Sequence, residues 1–181
     1  SPENEENMGE FVECVQGLGE ASAYLDFPVV SGNVSFYNQT KDIGIKPTPV
    51  IGGVGLIKDY QNMVTMDLKK ADNILLVIGK TEGHLDQSLF ARNILNEKNG
   101  PPPEINLFNE KNNGEIILKL IEKKFIKSAH DVSLGGIITS LSKMCIKGNK
   151  GATLKKPNYL INQFEYLFGE DQGRYIVEIS K

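Results

Sequence analysis

The sequence predicts a mixed α/β fold, and three observations carry that reading. Side chains recur at helical spacing on one face in several stretches, among them Phe11, Val15, Leu18, Ser22 and Leu25, and again Ile116, Ile117, Leu120, Ile121 and Phe125. Between these stand short apolar runs of strand length, such as Asn73–Gly79 (N-I-L-L-V-I-G) and Tyr175–Ser180. Glycine and proline clusters separate the two kinds of segment.

In chain order, the first element is a helix from Pro2 to about Asp26. Glu3, Glu5 and Glu6 sit in its opening turns, where the helix dipole favours negative charge. Gly17 and Gly19 weaken it but allow close packing on a sheet. Phe27 and Pro28 end it, and Val29-Val30 begin a strand that breaks into Gly32, Asn33 and Ser35. Gln39–Pro49 has two prolines, a glycine and mixed charge, which describes a surface loop. Val50–Ile57 (V-I-G-G-V-G-L-I) alternates apolar residues with glycine and reads as a buried strand closely approached by backbone or ligand.

Lys58–Asn62 is polar and marks the expected domain boundary, dividing the chain into residues 1–61 and 62–181. Beyond it come the strand Asn73–Gly79, a polar loop Lys80–Gln87, a helix over Ser88–Asn96 and a stiff Asn99–Pro103 turn. A helix over Asn113–Phe125 follows. Lys127–Val132 then reads as a short segment entering a helix from about Ser133 to Ile146, stopped by Gly148–Gly151. A short helix through Ile161–Leu167 and the strand Tyr175–Ser180 complete the series.

Composition narrows the function classes. The 181 residues are 40% apolar and 24% charged with a formal net charge of −3, so no global basic field exists to hold nucleic acid or an anionic membrane. Cys14 and Cys145 stand far apart and away from His84 and His130, which disfavours zinc fingers and disulfide scaffolds and points to a reducing cytoplasm. The longest apolar runs are too short to span a bilayer, and the opening residues do not resemble a signal peptide. An opening on Ser-Pro-Glu-Asn leads to the expectation of a fragment or a processed chain, with a tag remnant an equal explanation of Ser1, and a last strand with no closing helix again suggests missing sequence.

Three constellations can carry chemistry. In the first, Gly32 permits backbone approach to a phosphate, the Asn33 amide oxygen can ligate magnesium, and the Ser35 hydroxyl can hydrogen-bond a substrate; a turn rich in small polar residues would look the same. In the second, Asp131 and Ser133 of H-D-V-S precede Gly135-Gly136 at a helix start, placed either to hold magnesium and phosphate or to cap the helix. His130 beside them reads as a packed histidine, and His84 as a solvated loop residue. The third is Gly169–Arg174 (G-E-D-Q-G-R), where Glu170, Asp171 and Gln172 fit either a polar substrate or an acidic turn before an edge strand. Walker, GxSxG, HExxH and dinucleotide-binding signatures are absent.

Taken together, five ordered motifs resemble the second half of the synthetase subunit of phosphoribosylformylglycinamidine synthase. They are M-G-E-F-V-E-C-V-Q-G-L-G-E-A, P-V-V-S-G-N-V-S-F-Y-N, P-T-P-V-I-G-G-V-G-L-I, H-D-V-S-L-G-G and F-G-E-D-Q-G-R-Y. The resemblance implies the end of an aminoimidazole-ribonucleotide-synthetase-like ATP-binding domain followed by most of the C-terminal domain of that superfamily. It also implies ATP-dependent amidation of formylglycinamide ribonucleotide in purine biosynthesis, with a glutaminase subunit and a small bridging subunit as partners. By the same resemblance Gly32 and Ser133 contact ATP, Asn33 and Asp131 ligate magnesium, and Ser35, Glu170, Asp171 and Gln172 contact substrate. No catalytic residue falls in this stretch, and Asp171 stands where the matching motif of the first half has serine. Two alternatives are a scaffold half that holds a structural nucleotide, and another ATP-using member of the superfamily.

Overall fold

The computed structural model describes residues 1–41, 43–155 and 157–181 and divides the chain into two compact units, Ser1–Leu56 and Ile57–Lys181. In the first unit, helix α1 spans Glu5–Tyr24. The Asn4 side chain caps it by accepting from the Asn7 amide at 2.9 Å, with Glu5 and Glu6 in the first turn. At its other end Asp26 adopts a left-handed conformation (φ 59°), and the Phe27 amide donates back to the Ser22 carbonyl at 2.9 Å.

The remainder of this unit is extended chain plus a minimal hairpin of β1 (Gln39–Thr40) and β2 (Ile43–Gly44). The strands expected at Val29-Val30 and at Val50–Ile57 do not form here, and their side chains are open: Val30 is 90% exposed and Leu56 93%. A strand needs a neighbour to satisfy its amides and carbonyls, and among the described residues of this unit only the two-residue hairpin is paired. No residue of α1 is buried, although Phe11 packs against Phe36 with ring centroids 5.5 Å apart.

The second unit contains a closed core. After a 3₁₀ turn at Tyr60–Asn62, whose Gln61 amide is capped by the Asp59 carboxylate, strand β3 spans Ile74–Ile78. A helical turn follows with π character over Ala91–Leu95, then helix α2 (Leu107–Glu122), strand β4 (Ile126–Val132), helix α3 (Gly136–Gly148), helix α4 (Gln163–Phe168) and strand β5 (Arg174–Ile179). The sheet is antiparallel in the order β3-β5-β4.

Alternation along β5 builds two cores, one per face. Val177, with Tyr175 and Ile179, meets Ile117, Leu120 and Ile121 of α2 on one side. On the other, Ile176 meets Ile137, Leu141 and Met144 of α3, together with Leu68 and Val132. Ile137 and Met144 are fully buried.

In this unit the start of α2 and the character of residues 126–132 differ from expectation. Helix α2 begins six residues before the expected Asn113, because Asn106 caps it through the Asn109 amide at 3.0 Å. Residues 126–132 form a true strand. Its register shifts between Ile126 and Ser128, where β4 advances two residues against one of β5. That bulge moves the inward positions to the opposite face and breaks the period-two pattern a sequence reading relies on.

Candidate functional site

The described residues place the expected site residues in two kinds of environment. Gly32, Asn33 and Ser35 lie on the exposed extended segment of the first unit, and a side chain built at Gly32 would meet nothing within 4 Å. The Ser35 carbonyl accepts from the Asn38 side chain at 3.3 Å, so its hydroxyl is not spent on that turn contact.

Asp131 and Ser133 lie at the end of β4 and in the turn after it, and both are exposed. Neither caps α3. The N-cap is Gly135, with φ 81° and no side-chain cap, and the following Gly136 also has a positive φ of 69°. Left-handed geometry at both positions explains the glycine pair, and a Cβ at Gly136 would lie 2.7 Å from the Leu167 carbonyl oxygen. Capping is therefore not what occupies the Asp131 carboxylate or the Ser133 hydroxyl.

Asp131 opens onto a recess of about 400 Å³ lined by Met66, Ile117, Ala129, His130 and Tyr175. His130 Nδ1 lies 3.0 Å from Asp131 Oδ1, and its buried Nε2 has no hydrogen-bond partner among the described residues. Burial first, and then the nearby Glu110 and Asp131 carboxylates, push the Tyr175 phenol above its ordinary value; burial likewise raises Glu110. The recess thus combines an exposed carboxylate with an apolar floor. A single carboxylate fits magnesium, which binds through one or two such groups and completes its shell with water and phosphate oxygens. Among the described residues no group of three histidine, cysteine or carboxylate side chains forms an all-protein cage.

The G-E-D-Q-G-R turn is wired into the fold. Glu170 Oε1 accepts from the Leu89 and Gly135 amides, both at 2.8 Å, so this distant carboxylate supplies the acceptor that the N-terminus of α3 lacks locally. Asp171 is buried, and it accepts from the amides of Glu82, Gly83 and His84 at 3.1, 3.0 and 3.0 Å. Arg174, fully buried, donates to the Gly169 and Asp171 carbonyls at 2.6 and 3.1 Å and to Thr81 Oγ1 at 3.2 Å. Burial lowers its affinity for the proton, and Asp171, 3.5 Å away, works against that loss.

Of the three residues expected to face a substrate together, only Gln172 is exposed; the carboxylates of Glu170 and Asp171 hold backbone amides. Sequence reasoning missed this bracing role. The two flanking glycines and the arginine were its only local signal, since the amides being held lie 35 to 89 residues away.

Glu178 was not singled out from sequence either. It is buried on β5 and accepts from the Lys69 and Lys70 amides at 2.8 and 3.0 Å, Asn73 Nδ2 at 2.7 Å and Ser128 Oγ at 2.8 Å. Burial alone would raise this carboxyl, but those four donors outweigh it and hold it below its ordinary value.

Residues 70–181 match the family described as AIR synthase related protein, C-terminal domain. The chain belongs to the AIR synthase related family. Members with curated names lie close to it in sequence. The phosphoribosylformylglycinamidine synthase subunit PurL of Pelagibacter ubique is 94% identical over all 181 residues, which make up 25% of that relative. PurL of Bartonella henselae is 46% identical over 180 residues, covering 99% of this chain and 24% of the relative. The chain therefore spans about a quarter of the length of the curated relatives it matches. Among solved structures, Thermotoga maritima PurL complexed with FGAR aligns with a TM-score of 0.52 and 22% identity, over 66% of this chain and 22% of that one. At that identity the likeness concerns the α/β fold of the AIR synthase related family.

Proposed function

We propose that the protein containing this chain is the synthetase subunit of phosphoribosylformylglycinamidine synthase, acting in purine biosynthesis in the cytoplasm. The observation that carries the reading is 94% identity, without a break in coverage, to a relative of that name. In the proposed reaction ATP phosphorylates the carboxamide oxygen of formylglycinamide ribonucleotide. Ammonia then displaces phosphate to give the amidine, ADP and phosphate.

This chain's residues take binding roles in that scheme. Gly32 leaves its backbone open to ATP, Asn33 offers an amide oxygen to magnesium, and Ser35 offers a hydroxyl to substrate. Asp131 supplies an exposed carboxylate for a metal and Ser133 a hydroxyl for phosphate oxygens. Gln172 is the exposed member of the substrate turn, which Glu170 and Asp171 hold in shape. Magnesium, when bound, supplies neutralisation of phosphate charge. The partners of this reading are a glutaminase subunit that supplies ammonia and a small bridging subunit. The test is ADP release by the full-length protein with ammonia or its glutaminase partner: it should require formylglycinamide ribonucleotide, and ADP release that ignores this substrate, or none at all, overturns the proposal.

One observation favours a second reading, in which this half holds a structural nucleotide. Two of its four expected substrate contacts, Glu170 and Asp171, are committed to internal amides. Asn33→Ala and Asp131→Ala in the full-length protein separate the cases: lost turnover in a stable protein supports catalysis, whereas lost stability with unchanged turnover per folded molecule supports the scaffold.

A further inference from the structure

Three consecutive amides, those of Glu82, Gly83 and His84, converge on one carboxylate, that of Asp171, at 3.1, 3.0 and 3.0 Å. Successive N–H groups point into one concavity when a left-handed residue sits among them, and Gly83 has φ +86°. A side chain there would be strained and would also meet Glu165 Cβ at 2.6 Å, so the concavity depends on glycine. Arg174 adds a cation: one guanidinium nitrogen lies 3.5 Å from the same Asp171 oxygen that receives the Glu82 and Gly83 amides. Asp171 is 7% exposed and Arg174 1%.

These are the parts of an oxyanion site: converging amides, a glycine that lets them converge, and a desolvated guanidinium behind them. Glu170 on the same turn differs. Its two amides, from Leu89 and Gly135, belong to segments far apart in sequence and make a brace rather than a concavity.

We propose that the amides of residues 82–84, with Arg174, form a nest for a small oxyanion, carboxylate or phosphate, and that Asp171 is its internal ligand. While Asp171 fills it, the nest is closed to anions from solution. Removing the carboxylate leaves three amide donors without their acceptor and Arg174 without the counter-charge 3.5 Å away, and a free oxyanion of the right size restores both. The inference is independent of the proposed synthetase activity.

The test is a rescue of stability in the full 181-residue chain. Asp171→Ala should melt about 10 °C below the wild-type protein, the expected loss for several charge-assisted hydrogen bonds. Sodium formate, acetate or phosphate should recover most of that difference, and sodium chloride at matched ionic strength should not. The wild-type protein should show no such anion-specific gain. Rescue by formate and acetate alone identifies a carboxylate-sized nest, and rescue by phosphate a larger one. If Asp171→Ala folds only when an oxyanion is present, the proposal stands. If it stays unfolded throughout, Asp171→Ser, which retains one acceptor oxygen, takes its place. Absence of anion-specific stabilisation in both variants overturns the proposal.

Discussion

The two units use similar apolar runs and reach opposite results. V-I-G-G-V-G-L-I at residues 50–57 and N-I-L-L-V-I-G at residues 73–79 both have strand composition. The second pairs with β5 across Ile74–Ile78 and contributes Leu75 and Ile78 to the two cores. Among the described residues of its unit the first pairs with nothing, and Val50 and Val54 are each 90% exposed. Composition states a preference for extended backbone; only a hydrogen-bonding neighbour converts the preference into a strand.

The largest expected contrast lies in the cores. Ile176→Ala removes a fully buried side chain between β5 and α3 and should destabilise the second unit by about 3 kcal/mol, read from the urea midpoint. Val54→Ala should change stability by no more than about 0.5 kcal/mol. Comparable losses at the two sites would break the distinction between the units.

Glu178 comes next. Glu178→Gln keeps the shape but loses the charge that four donors serve, and it should cost about 2 kcal/mol near neutral pH. The carboxyl is held below its ordinary value of 4.5 in the folded protein. Its contribution is therefore fully present above about pH 4.5 and is lost as pH falls through the depressed folded value. Unfolding free energies measured across acid pH should fall less steeply in the variant; parallel acid limbs would refute the assignment.

A smaller effect compares two glycines. Gly135→Ala places a Cβ at φ 81° against the Thr139 side chain and should cost about 1–2 kcal/mol in a thermal melt. Gly32→Ala meets open space and should leave the melting temperature unchanged within about 1 °C. In the full-length protein the same Gly32→Ala should weaken ATP use if its backbone lies against the nucleotide as proposed. A stability loss at Gly32, or unaltered KM for ATP, would separate this position from that role.

The elements best read from sequence were those whose causes are local. The span of α1 and the apolar β3 and β5 runs depend on neighbours within a few residues, whereas the α1 face expected to pack inward has no buried residue and α3 ends on a left-handed Asn149 rather than on a glycine. Strand β4 was misread because its inward positions include Ser128 and Ala129, and the bulge after Ile126 interrupts its alternation. The start of α2 was hidden in an asparagine-rich stretch that resembles loop until Asn106 is seen to cap it.

By itself the sequence determined the mixed α/β class, the order of motifs and the family they resemble, because periodicity and motif order are properties of the chain read along its length. The tertiary structure decided which apolar runs pair and which face of β5 meets which helix. It also decided that Glu170 and Asp171 serve amides at Leu89, Gly135 and residues 82–84. Those are pairings between distant segments, and a carboxylate's chemistry in one dimension does not say which donors will close around it in three.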